Sequence, residues 1–339
     1  MKVTVIGAGA WGGALAQVLC DNGHDVVVWT HDVEHARQIN EQRQIVALTK
    51  KEIEHTLSER IVATSDLAIA VEHGCYLLFV VPSFALRSVA IEVAKHMTKP
   101  KICISATKGI EKNTHLLMTE VIEDVLTENL CIAAVALSGP SHAEEVIQRK
   151  ITAIVAAHEK NEYAVLVQGL FNNDTYFRVY ANTDRKGVEL GGALKNIIAI
   201  ISGMLSAYDL GDNAKAALIT RGLFEMTKIG VASGAREQTF SGLAGLGDLI
   251  ATTTSVHSRN FQAGILLAKG LSAEEVEIST QATVEGFYAV KAAIEIVNEK
   301  QVYAPLIVLL YELLENKITP AIMLERLFQR EMKDEFTLM

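Results

Sequence analysis

The first half of the chain alternates short apolar runs with segments in which apolar residues recur every three or four positions. The first run, KVTVIG, leads directly into AGAWGGALAQVLCDNG, whose spacing is helical and which ends at Gly23. Further runs are HDVVVWT, YLLFVV, KICISA, CIAAVAL, ITAIVAA and YFRVYA. Unbroken apolar strands, rather than alternating ones, predict a sheet that is covered on both faces. The alternation of strand and helix therefore predicts a parallel, doubly wound α/β sheet.

The second half of the chain carries helical periodicity almost throughout. From about residue 188 onward, DNAKAALITRGLFEMTKIGVASG, VEGFYAVKAAIEIVNEK and YAPLIVLLYELLENK all predict helices. The last helix, TPAIMLERLFQR, has Thr319 as its N-cap and Pro320 in its first turn. We therefore predict an α/β domain over residues 1–188 and an all-helical domain over residues 189–339. The segment from residue 41 to residue 60 supports no assignment.

Composition and charge exclude several classes of protein. The chain has 339 residues, 50% of them hydrophobic, which is enough for two domains with separate cores. A net charge of -9 without a basic stripe argues against nucleic acid as a partner, although a small anionic ligand needs only a local cluster of donors. The cysteines have no CxxC spacing, so we expect buried thiols in a reduced, cytoplasmic protein and no metal site. No apolar run approaches the roughly 18 residues of a membrane span.

Three glycines lie between the first strand and its helix. Gly7, Gly9 and Gly12 form the pattern GxGxxG in the position that a dinucleotide-binding fingerprint requires. The first glycine makes the tight turn, the second lets a pyrophosphate approach the backbone, and the third allows close packing of helix and strand. These glycines also explain the apolar amino terminus better than a signal peptide does. We therefore predict a dinucleotide cofactor.

The end of the second strand bears on the choice between NAD and NADP. A site that is specific for NAD usually places an acidic residue at the very end of this strand, where it binds the adenosine ribose hydroxyls. Here Thr30 and His31 come first, and Asp32 follows. This order leaves room for a 2′-phosphate near His31, and it leaves both NADH and NADPH open.

Lys195 lies in the middle of an otherwise small and apolar helix, GVELGGALKNIIAIISGM. At 3.6 residues per turn, its face is shared by Val188, Gly191, Gly192, Ala199 and Ser202. These neighbours are small enough to let a backbone or a ligand come close. The alternative is that the lysine stem packs in the core while its ammonium reaches water.

Two glycine-containing turns follow predicted strands, at the edge where doubly wound folds bind ligands. SATKGI places Lys108 after one strand, and LSGPSHAEEV places Gly139, Pro140 and Ser141 after the next, opening a helix. We predict that both turns contact ligands. His142 is an alternative general acid, but a histidine in a first helical turn is as often a surface residue.

The stretch GLAGLGDLIATTTSVHSRNFQAG carries the remaining candidate chemistry. Asp248 stands among apolar neighbours, where a carboxylate is normally paired. Ser258, Arg259 and Asn260 open the following helix, and a hydroxyl, a guanidinium and an amide at a helix N-terminus suit phosphate. The alternative is a plain capped helix with a solvated arginine.

Seven of these segments, taken together and in order, resemble NAD(P)-dependent glycerol-3-phosphate dehydrogenases of the bacterial type over essentially the whole chain. They are VIGAGAWGGALA, SATKGI, SGPSHAEEV, GVELGGALKNIIAI, GLAGLGDL, SRNFQAG and TVEGFYAV. The resemblance implies a Rossmann domain over residues 1–188 and an all-helical, catalytic, substrate-binding domain of the 6-phosphogluconate-dehydrogenase type over residues 189–339. It also implies reversible reduction of dihydroxyacetone phosphate to sn-glycerol 3-phosphate, a precursor of glycerophospholipids, by a cytoplasmic homodimer.

The resemblance also implies roles for individual residues. Lys195 would be the proton donor and acceptor. The implied substrate contacts are Lys108, Gly139, Ser141, Asp248, Ser258, Arg259 and Asn260. The implied NAD(P)H contacts, beside Gly7, Gly9 and Gly12, are Ala10, Trp11, His31, Lys108, Ala143, Arg259, Thr283 and Glu285.

These roles give Lys195 a chemical purpose. A lysine ammonium beside the carbonyl oxygen stabilises the charge that develops on hydride transfer, and it then supplies the proton. A second ammonium, Lys108, would polarise the carbonyl and lower the pKa of Lys195, and Asp248 would oppose part of that effect.

Two other functions remain open from the sequence. One is a β-hydroxy acid dehydrogenase of the same superfamily, which would also use a lysine on such a helix; the cluster Ser258–Arg259–Asn260 suits a phosphate dianion better than a carboxylate. The other is a non-catalytic module that senses NAD(P)H, in which Lys195, Lys108 and Asp248 would have no purpose.

Overall fold

The computed structural model describes residues 1–50, 52–280 and 283–328, and the chain divides into two compact units. The first unit comprises Met1–Lys108 and Leu116–Glu189, and the second comprises Gly109–His115 and the chain from Leu190 onward. The predicted boundary lay at residue 188, and the prediction left residues 109–115 in the first domain. Residues 329–330, at the end of the last predicted helix, lie outside the described residues.

The first unit is built on one eight-stranded sheet with the order β3-β2-β1-β4-β5-β6-β7-β8. The strands are β1 (Lys2–Ile6), β2 (Asp25–Trp29), β3 (Ile61–Thr64), β4 (Tyr76–Phe79), β5 (Lys101–Ser105), β6 (Cys131–Ser138), β7 (Thr152–Ala157) and β8 (Phe177–Asn182). All neighbours are parallel except β6 and β7. The predicted parallel, doubly wound α/β fold is therefore confirmed, with one antiparallel pair, β6 and β7. The connection from β6 to β7 folds back instead of crossing over, so the chain reverses direction there.

Helices cover both faces of this sheet. They are α1 (Ala10–Asp21), α2 (Val33–Gln42), α3 (Val46–Thr49), α4 (Leu67–His73), α5 (Leu86–His96), α6 (Met118–Leu130), α7 (Ala143–Val146) and α8 (Asn161–Phe171), with a 3-10 turn at Ser83–Ala85. One core packs α1 and α8 against the sheet, and a second packs α5 and α6 against it. The segment around residues 41–60, which the sequence left unassigned, adds the buried side chains of Ile45 and Leu48 to the first core.

The elements described from Leu190 onward are helices, as predicted. They are α9 (Arg185–Ala207, which begins in the first unit), α10 (Gly211–Ala232), α11 (Glu237–Phe240), a π-helical turn (Leu243–Gly247), α12 (Asp248–Thr254), α13 (Arg259–Ala268), α14 (Ala273–Thr280), α15 (Glu285–Lys300), α16 (Pro305–Leu314) and α17 (Pro320–Phe328). Pro320 opens α17, and the Thr319 hydroxyl accepts from the Ile322 amide at 3.3 Å, so the predicted cap is confirmed.

Helix α9 is packed against other backbones through its glycines. A Cβ at Gly191 would collide with the Ala244 carbonyl of the π-helical turn, and one at Gly203 would collide with the Phe261 carbonyl of α13. By length and composition alone α9 could cross a membrane, but 89% of its most apolar window is buried inside the molecule, as expected for a core helix. In the sequence this helix does not stand out as a membrane span, because Lys195 interrupts its apolar run.

Candidate functional site

The glycine-rich turn after β1 has the geometry that a dinucleotide phosphate needs. Gly7 has a φ of +119°, and a Cβ there would strike the Val80 carbonyl. A Cβ at Gly12 would strike the carbonyl of Gly7, so helix and strand pack closely. At Gly9, the N-cap of α1, no atom of the described residues lies within 4 Å of the Cβ position, and the helix has no side-chain cap there. The first-turn amides of α1 and the open space at Gly9 therefore fit a pyrophosphate.

The end of β2 uses its acidic residue for another purpose. Asp32 is the N-cap of α2, and its carboxylate accepts from the amides of Glu34 (2.8 Å) and His35 (3.2 Å). His31 is exposed beside it. His35, which the sequence did not single out, has its Nδ1 3.5 Å from the Thr30 hydroxyl. Burial lowers the pKa of His35, the Asp32 charge opposes that effect, and the imidazole is therefore held towards its neutral form.

Lys108, Gly139 and Ser141 meet at the carboxyl ends of β5 and β6. The Lys108 ammonium and the Ser141 hydroxyl both donate to the Gly139 carbonyl, at 3.0 and 2.8 Å. Gly139 has a φ of +142°, and a Cβ there would crowd Ile154. The helix after this turn begins at Ala143 rather than at Gly139–Ser141, with His142 at its N-cap position. The structure thus brings three predicted ligand contacts together around one carbonyl.

Lys195 forms a buried ion pair. Its ammonium donates to the Asp248 carboxylate and, at 2.7 Å, to the Thr252 hydroxyl. Lys195 is 5% exposed and Asp248 1%, so the interpretation of a lysine reaching into water is wrong. Asp248 directly follows the π-helical turn and opens α12, and Thr252 lies one turn further along. Thr252 was not predicted from the sequence, although its spacing of four residues from Asp248 places both on one helical face.

The three residues that open α13 have different local roles. The Ser258 hydroxyl caps the helix by accepting from the Phe261 amide at 3.2 Å. The Asn260 carboxamide donates to Asn196 and accepts from the Gly286 amide, both at 2.9 Å. Arg259 is exposed, and its guanidinium makes no hydrogen bond or ion pair within the described ranges. An anion at this helix end would therefore meet the Arg259 side chain, the Ser258 hydroxyl proton and the first-turn amides.

The last predicted cofactor contacts lie at the start of α15. Val284 is the N-cap, Glu285 is the first residue, and Thr283 lies just outside the helix. The Val284 amide donates to the Glu277 carboxylate at 3.0 Å, which ties this segment to α14. Among the residues that the structure describes, no group of three or more His, Cys, Asp or Glu side chains could hold a metal ion.

One further ionisable group is buried at the root of the lysine helix. The Glu189 carboxylate accepts from the Thr119 amide at 2.9 Å and from the Thr119 hydroxyl. Burial raises the pKa of Glu189 to about 7, because the Thr119 hydrogen bonds offset only part of the cost of burying its charge. The start of α9 is held to α6 by this contact and by Arg185, which pairs with Glu123 at 2.5 Å.

Comparison with known proteins identifies the family. The model of the NAD-dependent glycerol-3-phosphate dehydrogenase N-terminus matches residues 2–164, and that of the C-terminus matches residues 184–325. A glycerol-3-phosphate dehydrogenase [NAD(P)+] of Enterococcus faecalis is 48% identical over 93% of this chain and 92% of its own length. The corresponding protein of Lysinibacillus sphaericus is 44% identical over 98% of both chains. The crystal structure of glycerol-3-phosphate dehydrogenase from Coxiella burnetii superposes with a TM-score of 0.89 at 32% identity, covering 97% of this chain and 98% of that one. The chain belongs to the NAD-dependent glycerol-3-phosphate dehydrogenase family.

Proposed function

We propose that the chain reduces dihydroxyacetone phosphate to sn-glycerol 3-phosphate, reversibly, with NADH or NADPH as the hydride donor, and so supplies glycerophospholipid synthesis. The observation that carries this proposal is the buried ammonium of Lys195, held by Asp248 and Thr252 within the region that matches the family's carboxy-terminal model. An ammonium that hydrogen bonds hold in a fixed position can stabilise the negative charge that develops on a substrate oxygen.

Lys195, Asp248 and Thr252 would have different roles in the proton transfer. A bound nicotinamide cofactor would supply the hydride that reaches the carbonyl carbon. The Lys195 ammonium stabilises the negative charge that then develops on the oxygen, and it donates the proton that completes the alcohol. The Asp248 carboxylate keeps Lys195 in its charged form before the reaction and favours its reprotonation afterwards. The Thr252 hydroxyl fixes the direction of the ammonium, because it bonds to the same Nζ.

The phosphate group would bind at the start of α13. This helix has ten residues, and the amides of Arg259 and Asn260 at its start favour an anion. Arg259 would add a charge-assisted contact and Ser258 its hydroxyl proton. We also propose substrate contacts for Lys108, Gly139, Ser141 and Asn260, on the resemblance to the family.

The cofactor would bind through the turn at Gly7, Gly9 and Gly12, with the amides of Ala10 and Trp11 on its phosphates. The fit of this turn to a pyrophosphate supports the assignment. The further contacts that we propose are His31, Lys108, Ala143, Arg259, Thr283 and Glu285. The Asp32 carboxylate is occupied by capping α2, which leaves NADPH as acceptable as NADH.

We further propose, from the family resemblance, that the protein is a cytoplasmic homodimer. All four cysteines are free thiols, as expected in a reducing compartment. Cys20, Cys103 and Cys131 are buried, but Cys75 is exposed, so the prediction of buried thiols is wrong at Cys75. A molar mass measurement in solution tests the oligomeric state, and a mass of one chain would contradict the dimer.

A direct assay tests the activity. Oxidation of NADH and of NADPH is followed by absorbance, with dihydroxyacetone phosphate in one series and short β-keto acids in another. We expect turnover with the phosphate and little with the acids. Faster turnover of the β-keto acids would favour the β-hydroxy acid dehydrogenase, and cofactor binding without turnover of either substrate would favour the sensor.

Arg259→Ala tests phosphate anchoring. Loss of a charge-assisted contact should lower kcat/KM for dihydroxyacetone phosphate by roughly 10- to 100-fold. Both kcat and affinity should fall, because binding energy at the phosphate also positions the carbonyl. Turnover of phosphate-free dihydroxyacetone should hardly change. Lys291→Ala, which removes an exposed charge from α15, is the matched control. Equal losses with both substrates would refute the anchoring role.

A further inference from the structure

A chain of three hydrogen bonds crosses the second unit through two buried asparagines. The Gly286 amide donates to Asn260 Oδ1 at 2.9 Å, Asn260 Nδ2 donates to Asn196 Oδ1 at 2.9 Å, and Asn196 Nδ2 donates to the Gly192 carbonyl at 3.3 Å. Asn196 is 5% exposed and Asn260 8%. We call this series of contacts the amide relay.

The orientation of both carboxamides is fixed by the ends of the amide relay. A backbone N–H can only donate, and a backbone carbonyl can only accept. Asn260 must therefore present its oxygen to Gly286 and its nitrogen to Asn196. Asn196 must then present its oxygen to Asn260 and its nitrogen to Gly192. Asn260 thus uses both its acceptor and one of its donors inside the protein, and an aspartate could satisfy one of these contacts but not both.

The amide relay joins three places that matter for the proposed reaction. Asn260 lies in the first turn of α13, where the phosphate would bind. Asn196 follows Lys195 on α9. Gly286 follows Glu285, in the proposed cofactor segment at the start of α15.

Glycines hold the same three helices at close range. A Cβ at Gly264 of α13 would strike the Ile200 carbonyl of α9, and one at Gly286 would crowd the Asn196 carbonyl. With the helices this close, there is little freedom for one of them to slide without breaking a contact of the relay.

We propose that the Asn260 side chain is a positioning residue that sets the phosphate-binding end of α13 against the Lys195 helix and against the start of α15. Its carboxamide acts through the amide relay, and substrate contact at this position is left to the Asn260 backbone amide. Its substrate test rests on the proposed reaction. Its cofactor test rests on the proposed cofactor contacts at the start of α15 and not on the reaction.

The substrate arm separates kcat from KM. In Asn260→Ala the phosphate still binds to Arg259 and the helix amides, but the carbonyl no longer meets Lys195 in the correct geometry. We expect kcat for dihydroxyacetone phosphate to fall by about 10- to 100-fold, with KM within about threefold of wild type. Gln262→Ala is the matched control, because this amide of the same helix bonds to Val256 in the local loop, and we expect wild-type kinetics from it.

The cofactor arm measures NADPH binding by fluorescence, without substrate. Asn260→Ala frees the Gly286 amide, so the dissociation constant of NADPH should rise by about 3- to 10-fold. Asn260→Asp keeps the side-chain volume and the acceptor for Gly286 but loses the donor to Asn196. It should therefore bind NADPH as the wild type does while losing kcat. This second variant also covers the case in which the alanine variant fails to fold.

Three results would overturn the proposal. A rise of tenfold or more in KM for dihydroxyacetone phosphate, with kcat kept, would make the side chain a phosphate ligand. A lower melting temperature of Asn260→Ala, with unchanged kinetic constants and NADPH affinity, would mean that the Asn260 side chain has a structural role only. Equal NADPH affinities in Asn260→Ala and wild type would show that Asn260 does not position the start of α15. A wild-type chain that does not reduce dihydroxyacetone phosphate would contradict the proposed function, and the cofactor arm would still decide the role of the relay.

Discussion

Lys195 and Asp248 are both buried, so each charge is stabilised mainly by the opposite charge of its partner and little by water. Removing one partner of such a pair leaves an uncompensated charge in a poorly solvated place, which is costly, whereas neutralising both often costs little. The chemistry, by contrast, needs the ammonium itself. Stability and activity therefore respond differently to substitutions at this pair.

Lys195→Met should lower turnover by roughly 100-fold or more, because it removes the proton donor. It should also lower the free energy of unfolding by about 3–5 kcal/mol, because the Asp248 charge loses its partner. Adding Asp248→Asn should restore most of the stability and none of the activity. Urea unfolding and NADPH oxidation measure the two quantities. A single variant as stable as the wild type would show that the pair is not needed to keep the Asp248 charge buried.

Glu189 gives the stability of the chain a pH dependence of predictable sign. Its pKa in the folded chain is about 7, above the ordinary value of 4.5, so the folded state holds this proton more tightly. The contribution to stability is therefore complete below about pH 4.5 and is lost as the pH rises through about 7. Glu189→Gln keeps a neutral side chain at every pH. We expect it to be more stable than wild type at pH 8, by up to about 3 kcal/mol, and nearly equal at pH 5. Urea unfolding from pH 5 to pH 8 measures this, and a constant difference would contradict it.

At the scale of single elements, the connection from β2 to α2 bears on cofactor choice. Asp32→Asn keeps the cap, because asparagine caps helices as well as aspartate does. If the 2′-phosphate lies near His31, losing the carboxylate charge should lower KM for NADPH by roughly 2- to 5-fold and leave NADH unchanged. Asp66→Asn is the matched control, because Asp66 caps α4 in the same way. A tenfold rise in KM for NADH would mean that Asp32 binds the ribose.

Most elements could be predicted from the sequence because their signals are local. Gly7 needs a backbone conformation that side chains disfavour, and Gly12 leaves no room for a side chain. Strands such as β6 are apolar at nearly every position. Strand β3 was missed because it has four residues at the sheet edge and Val62 is exposed. The reversed β7 could not be predicted, since apolarity carries no strand direction.

The candidate site was predictable residue by residue but not as a set of contacts. Lys195 and Asp248 each stood out, one by its helix face and one by its apolar neighbours. They are 53 residues apart in the sequence, and their pairing depends on a π-helical turn that the spacing of apolar residues does not predict. Asn260 was assigned to phosphate from its place at a helix start, where sequence cannot show that Asn196 and Gly286 already engage its side chain.

At the scale of the whole molecule, the two units differ in how much of the chain must be present before their cores are complete. Both cores of the first unit consist of residues before Asn182. The apolar faces of α9 are instead covered from later in the chain. Gly222 of α10 packs on Ile198, Gly264 of α13 packs on Ile200, and Gly286 of α15 also contacts Ile200. Helix α9 therefore has its full cover only when α15 is present.

A truncated chain tests this dependence. A chain ending at residue 257 lacks α13 and α15, so α9 should be exposed and should bind to lipid vesicles, which the full chain should not. The same truncation carrying Ile197→Lys and Ile201→Lys is the control, because two more charges make membrane burial of α9 costly. Co-sedimentation with vesicles measures the effect. Failure of the truncated chain to sediment would show that α10–α12 cover α9 sufficiently.

The long apolar helix α9 also has a consequence during synthesis of the protein. Translation adds about 5–20 residues per second, and roughly 80 residues separate the end of α9 from Gly286. For roughly 4–16 s, the nascent chain therefore carries a segment with the length and composition of a membrane anchor before α15, the last of the helices that cover it, has been made. The charge of Lys195, buried later for chemistry, is during that interval the feature that weakens its resemblance to an anchor.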